Sequence, residues 1–239
     1  MNPPELSVVV LGYRAGPALG SLVRRIEEAL EGLGVTRELI LVVNTWPGSS
    51  DPTPAVAQQL AAVDPRRRVV ALEKRGGMGW DMKSGFAAAR GTFVAVIDGD
   101  GQMPGEDVAR VFALARDREV DFAKTYRARR EDGGQRRLLS AGFNLLFRVL
   151  FPGPRVRDVN GKPKVIRRAA LERMRLEADD WFIDAELVLE ARRLGLRLAE
   201  VPTVFHRLES RASFVRWTTI AEFLRNLSRF RWRSWRRRR

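Results

Sequence analysis

The sequence predicts an α/β domain built on a doubly wound, mostly parallel central sheet. Three observations point there: short β-branched runs alternate with stretches of helical period, the loops between them are short, and residues 93–97 (Phe-Val-Ala-Val-Ile) are apolar throughout. Such alternation lays helices over both faces of a parallel sheet, and a strand with no polar side is buried on both faces.

Each element follows in order. Leu6–Leu11 is the first strand and opens at Gly12 and Tyr13 into a loop. Leu19, Leu22, Val23, Ile26, Ala29, Leu30 and Leu33 recur at helical spacing. Residues 38–43 form a second buried strand, followed by a turn-rich loop at 47–52. A helix over about 54–63 and a strand over 68–73 come next, and the glycine-rich stretch 75–79 leads into a helix through Lys83 to Ala89. After the strand at 93–97 and a helix at 107–116 the rhythm changes. Residues 121–126 read as a further strand, 127–137 as an Arg-dense polar loop, 138–151 as an amphipathic helix and 157–166 as loop then strand. A helix over 182–194 ends at Gly195, and Pro202 marks the strand 198–205 as an edge. Residues 217–230 are a closing helix with Trp217, Ile220, Leu224 and Leu227 on one face.

The chain has 239 residues, enough for one domain and an appendage. It contains no cysteine, which excludes disulfides, thiolate zinc sites, Cys nucleophiles and iron–sulfur clusters, and with His206 as the one imidazole a zinc enzyme is disfavoured. The net charge of +14 is uneven: from Phe205 onward 11 Arg face only Glu209 and Glu222, so nine of the excess charges lie there. That points to an anionic surface met by the tail. With neither a signal peptide nor an apolar run of roughly 20 residues, the expectation is a cytoplasmic, soluble or peripheral protein.

Asp98-Gly99-Asp100-Gly101-Gln102 leaves the buried fourth strand at its C-terminal end, where open α/β sheets hold their ligands. Alternate side chains converge there, so Asp98 and Asp100 suit one hard cation, with phosphates approaching over Gly99 and Gly101. A solvated turn explains a lone Asp-x-Asp equally well. Other motifs are excluded. The EF-hand positions six and twelve are Met103 and Ala109, position 82 is Met rather than the third dinucleotide-site glycine, and there is no Walker lysine or nucleophile elbow.

Further features follow in a fixed order. They are the first strand through Tyr13, the basic and glycine-rich stretch 75–85, the Asp98–Gln102 turn, Tyr126-Arg127 with arginines to Arg137, a helix bearing Ser140 and Asn144, the segment 158–164, Asp184-x-Glu186, Glu200-Val201-Pro202, and Arg207 ahead of Ser213. This collinear set resembles the family-2 glycosyltransferases of GT-A fold, and among them the dolichyl- or polyprenyl-phosphate sugar transferases. The resemblance implies a Rossmann-like three-layer domain over residues 1–214, with an amphipathic helix and basic tail over 215–239. It implies inverting hexosyl transfer from a nucleotide-sugar to polyprenyl phosphate, assisted by Mg2+ or Mn2+ on Asp98, Asp100 and Gln102. Leu11, Tyr13, Asn44, Arg75, Lys83, Asp98 and Gly99 would contact the donor nucleotide, and Asp98, Asp100, Arg127, Arg137, Asp184 and Arg207 would form the catalytic set. Arg130, Lys162 and Lys164 join the arginines in offsetting a phosphate acceptor beside a diphosphate donor; a basic solvated loop is the plainer reading. An acceptor phosphate is already ionised, so a general base is less needed. Of Asp184 and Glu186, two apart on a helix, one would orient basic residues while the other is solvated; Asp158 is an Arg partner or loop organiser, and His206 structural.

The chain also departs from the family's pattern. Asn44-Thr45-Trp46 stands where an acidic pair is usual, with Asn44 offering bonds to a base edge and Trp46 a stacking face, and Tyr13-Arg14 replaces Tyr-Asn. Where many relatives carry transmembrane helices, Trp232 and Trp235 lie among the seven arginines from Arg229 to Arg239. That mixture suits an anionic membrane face, with a membrane-protein partner standing in for the helices. Packing on the domain, a solubilising end and nucleic-acid binding, the last disfavoured, are the alternatives. Rival readings of the whole are a same-fold transferase with a glycan or small-molecule acceptor, and a non-catalytic nucleotide-sugar or nucleic-acid binding protein.

Overall fold

A computed structural model describes residues 3–130, 134–153, 156–206 and Phe230; for residues 130, 134–140 and 143 it describes the backbone alone. The first half keeps the expected alternation. Strands β1 (Leu6–Leu11), β2 (Arg37–Val42), β3 (Arg67–Val70) and β4 (Phe93–Asp98) are linked by α1 (Ala18–Glu31), α2 (Thr53–Ala62) and α3 (Met78–Ala88). All four pair in parallel, and Leu11 at the end of β1 stands between Val42 and Asp98. β3 stops at Val70, short of the expected Glu73, which keeps only a single bridge to Thr45.

The second half adds α4 (Asp107–Asp117), β5 (Phe122–Arg130), α5 (Gly134–Leu150), β6 (Lys164–Arg167), the short α6 (Arg168–Leu171), α7 (Ile183–Arg193) and β7 (Leu198–Phe205). The seven-stranded order is β3-β2-β1-β4-β6-β5-β7. β6 runs antiparallel to both of its neighbours, β4 and β5, whereas β5 and β7 are parallel. β7 lies at the edge, where a proline without an N–H is tolerated.

Alternation along the strands creates two cores. Val8 and Val10 pack with Leu22 and Ile26 of α1 and Phe112 of α4. Val9 and Leu11 face the other way, into a cluster with Met82 of α3, Phe147 of α5 and Leu187 of α7. The architecture is therefore helix, sheet, helix, as the resemblance implied.

One stretch of the expected loop is strand. β5 runs on through Arg127 to Arg130, paired with β7 across a bulge between Arg127 and Arg129, and α5 starts at Gly134. Main-chain pairing with β7 is indifferent to the arginine side chains that suggested a loop. The expected helix at 217–230 and the tail 215–239 lie outside the described residues, Phe230 excepted. Its ring packs on Phe151 and Phe182 with centroids 6.0 and 5.8 Å away. No helix among the described residues is long and apolar enough to cross a membrane.

Candidate active site

The acidic turn sits where β1 and β4 end together. Gly99 N–H donates to the Leu11 carbonyl at 2.8 Å, which stitches the two strand ends. A Cβ at position 99 would lie 2.7 Å from that carbonyl, so only glycine allows the approach. Asp98 is about one-third exposed (32%) and its Oδ1 accepts from Lys162 Nζ at 2.9 Å. Asp100 Oδ1 accepts from the Gln102 N–H at 3.1 Å, a bond that closes the turn over Gly101, whose φ is +75°. Gln102 latches the turn to the end of β7: its Nε2 donates to the His206 carbonyl at 3.1 Å, and the His206 N–H donates back to the Gln102 carbonyl at 2.9 Å. These bonds engage the Gln102 side-chain nitrogen and leave its Oε1, the atom a hard cation would take, out of the latch.

Behind the turn lies a buried ionic network. Among the described residues, Lys124, Arg127, Lys162 and Lys164 meet Asp98, Asp158, Asp184 and Glu200. Lys164, buried in β6, donates to Asp184 Oδ1 at 2.6 Å, and Lys162 lies 3.2 Å from Asp184 Oδ2. Lys124 donates to the Thr125 carbonyl (2.7 Å), the Asp158 carbonyl and Glu200 Oε1 (3.1 Å). Arg127 forks onto Asp158 through Nε (2.6 Å) and Nη2 (2.8 Å), and its guanidinium stands 5.5 Å over the Phe205 ring. Burial would raise both carboxyls, but Arg127 and Lys124 hold Asp158 well below the usual carboxylate range, as Lys162 and Lys164 do Asp184. Burial pushes Lys164 down to about 8, whereas Asp184 and Asp98 outweigh burial at Lys162 and hold it above the ordinary lysine range.

These placements correct two expectations. Lys162 and Lys164 are not exposed to an acceptor phosphate: both are counter-ions sealed under the sheet end. Glu186 is not solvated. It is 1% exposed, and its Oε2 accepts the N–H groups of Glu177 and Ala178, each at 2.9 Å. Asp158, by contrast, is the Arg partner and loop organiser expected, its Oδ1 also accepting the Asn160 N–H.

The Glu177–Asp180 loop that Glu186 anchors explains the glycine-rich stretch. Trp80 N–H donates to the Asp179 carbonyl at 3.2 Å, and a Cβ on Gly79 would fall 2.3 Å from the Ala178 carbonyl. Those glycines allow loop to pack on loop. Burial, with Glu190 nearby, raises Glu186 to about 7 against the Ala178 bond. A carboxyl raised on folding stabilises fully below the unfolded value and loses that contribution as pH rises through about 7. Glu186→Gln keeps an acceptor and removes the charge. Its Tm relative to the parent is expected to rise by roughly 4 °C between pH 5 and pH 8; a flat difference by scanning calorimetry would refute the buried-charge account.

Of the residues expected to contact the donor, Tyr13 is half-buried with Lys74 Nζ 4.5 Å from its ring centroid. Lys74 pairs with Asp81, a buried couple that sequence reasoning missed; a charged residue in the loop before α3 carried no periodic signal. Asn44 does not reach a base edge. It is 1% exposed, its Nδ2 donates to Asp81 (2.9 Å) and Ser84 (3.0 Å), and its Oδ1 accepts from the Leu72 N–H (2.8 Å). Trp46 is half-exposed, Arg75 exposed, and Lys83 pairs with Asp179 at 2.6 Å. Arg157 lies 4.6 Å over Tyr126, Asn144 Oδ1 accepts the Val159 N–H, and Leu145 and Val149 of α5 are exposed. Arg207 lies outside the described residues, as do the side chains of Arg130, Arg137 and Ser140.

Asp98 and Asp100 offer hard oxygen donors at a turn with bare glycines. Among the described residues no group of three His, Cys, Asp or Glu forms a metal cage. Two carboxylates at such a turn fit Mg2+ or Mn2+ of the kind that draws most of its shell from water and phosphate.

Comparison with known proteins agrees with this arrangement. The glycosyl transferase family 2 model matches residues 7–175. Glycosyltransferase AglD of Haloferax volcanii is 32% identical over 204 residues, 83% of this chain and 32% of that protein. Dodecaprenyl-phosphate galacturonate synthase of Rhizobium johnstonii is 29% identical over 80% of this chain and 57% of its own length. Undecaprenyl-phosphate 4-deoxy-4-formamido-L-arabinose transferase of Pectobacterium carotovorum is 32% identical over 60% and 43%. The chain thus spans between about a third and just over half of these relatives' lengths. Glucosyl-3-phosphoglycerate synthase from Mycobacterium tuberculosis, solved with UDP, has the same fold: TM-score 0.67 at 20% identity, over 94% of this chain and 77% of that one. By fold, strand-end acids and family match, the chain belongs to glycosyl transferase family 2.

Proposed function

We propose that this chain is an inverting glycosyltransferase that moves a sugar from a nucleotide-sugar to polyprenyl phosphate at the inner face of the cell membrane. A phosphate oxygen of the acceptor attacks the sugar C1 from the side opposite the nucleotide, the bond from C1 to the diphosphate oxygen breaks, and configuration inverts. Asp98 and Asp100 would hold a divalent ion, which would supply charge against the departing diphosphate. Tyr13 offers a platform for the base, and Arg75 and Lys83 lie on the nucleotide's side. Arg127 shapes the acceptor end by fixing Asp158, with Arg137 and Arg207 proposed as its phosphate ligands.

The observation that carries this reading is the state of the acids. Asp158 and Asp184 are locked onto cations with depressed proton affinity, unlike a general base poised near neutral pH. Such a site suits an acceptor that arrives already ionised. Relatives named for transfer to dodecaprenyl and undecaprenyl phosphate support the same acceptor class. Residues 1–214 would do the chemistry, and the basic stretch 215–239 would meet anionic lipid.

The test incubates the chain with UDP-, GDP- and dTDP-sugars, Mg2+ or Mn2+, and either undecaprenyl phosphate or undecaprenol. Mass spectrometry is expected to find a sugar phospholipid from the phosphate alone. Transfer to the bare alcohol, or no transfer to the phosphate from any of these donors, would overturn the assignment.

A further inference from the structure

Lys162 stands apart from the other buried lysines because it touches the turn itself. Its side chain is 2% exposed, and the ammonium lies 2.9 Å from Asp98 Oδ1, 3.2 Å from Asp184 Oδ2 and 3.1 Å from Met78 Sδ. Those partners come from the end of β4, from α7 and from the start of α3. Asp184 is in turn secured by Lys164 at 2.6 Å, and Lys164 donates to the Gly161 carbonyl at 3.0 Å. Gly161 packs directly on β5: a Cβ there would lie 2.2 Å from the Thr125 carbonyl. The ammonium is therefore fixed in place from below, with one oxygen of Asp98 directed at it.

We propose that Lys162 is a resident counter-cation of Asp98, a positioning residue that reserves one carboxylate oxygen of the strand-end pair and so makes divalent-ion binding depend on the nucleoside diphosphate. This rests on the reading of that turn as the donor diphosphate site. Two positive charges a few ångströms apart repel strongly in a partly desolvated pocket. A divalent ion arriving alone meets Lys162 with half of Asp98 already engaged. When it arrives with a diphosphate, the added negative oxygens complete its shell and offset the ammonium. Lys162 also sets the direction of Asp98, since the carboxylate is held toward α7 rather than left to rotate.

The test measures free Mn2+ by its EPR signal, titrating the full chain with and without UDP or GDP. Lys162→Met is expected to tighten Mn2+ binding without nucleotide by about tenfold. Lys162→Gln, which keeps a donor but no charge, should tighten it similarly and serves if the methionine variant does not fold. Lys164→Met removes a buried charge that does not touch Asp98, and should tighten Mn2+ binding by less than Lys162→Met does. Equal effects of Lys162→Met and Lys164→Met, or no tightening in folded Lys162 variants, would overturn the proposal. If neither nucleotide strengthens Mn2+ retention by the parent chain while Lys162→Met still binds tighter, the counter-cation stands and the diphosphate reading falls. If a nucleotide strengthens retention and the Lys162 variants match the parent, the reverse holds.

Discussion

Asp100→Ala is expected to lower kcat/KM on the order of a thousandfold while leaving the fold in place. Asp100 is half-buried on a turn, and its Oδ1 closes that turn through the Gln102 N–H. Losing that bond costs about 1 kcal/mol, a few degrees in Tm. Asp98→Ala is the less clean experiment, because it also strips Lys162 of one of its two carboxylates. Steady-state transfer assays beside thermal melts separate the two effects. An Asp100→Ala protein that turns over within threefold of the parent would remove the turn from the chemistry altogether.

Asp158→Ala is expected to be the most damaging single change to stability among those considered. The side chain is 6% exposed and accepts both Nε and Nη2 of Arg127, along with the Arg127 and Asn160 N–H groups. Removing it takes from Arg127 the carboxylate it forks onto and leaves Lys124 with Glu200 and one nearby carboxylate fewer. Breaking a buried ion pair from one side costs about 3–5 kcal/mol, or roughly 10 °C in Tm for a domain of this size. Because the carboxyl is held below its usual range, this stabilisation is present at neutral pH and fades only as pH falls below the ordinary Asp value. Urea unfolding at pH 7 and pH 3 checks both parts. A loss under 1 kcal/mol at pH 7, or one that persists unchanged at pH 3, would contradict the network's role.

Most of the fold was legible because its signals are local. The apolar runs that became β1, β2 and β4 declare their burial on both faces, and Leu19 to Leu30 mark the inner face of α1 at helical spacing. β5 was legible only in its first half. Its arginines pair through backbone with a strand about 75 residues later, and side-chain pattern does not report such pairing. The Asp98–Asp100 turn was visible as a motif with strand context. The network behind it was not. Lys124, Lys162 and Lys164 look like surface residues until partners from β7, α7 and the β4 end converge on them, which only tertiary structure provides. Asn44 misled for the converse reason: its polarity suggested an outward role, yet Asp81, Ser84 and the Leu72 amide satisfy it internally.

The placement of β6 bears on how the chain assembles. Strands β1 to β4 can zip together from neighbours already synthesised, but the slot between β4 and β5 is filled by a strand that leaves the ribosome well after both. Until Lys164–Arg167 arrives, the β4 edge presents unpaired N–H and C=O groups, the template on which nascent chains stick to one another. Fragments ending before position 164 should therefore precipitate or recruit chaperones, whereas those reaching past 205 should collapse cooperatively, with the late antiparallel insertion acting as the keystone of folding.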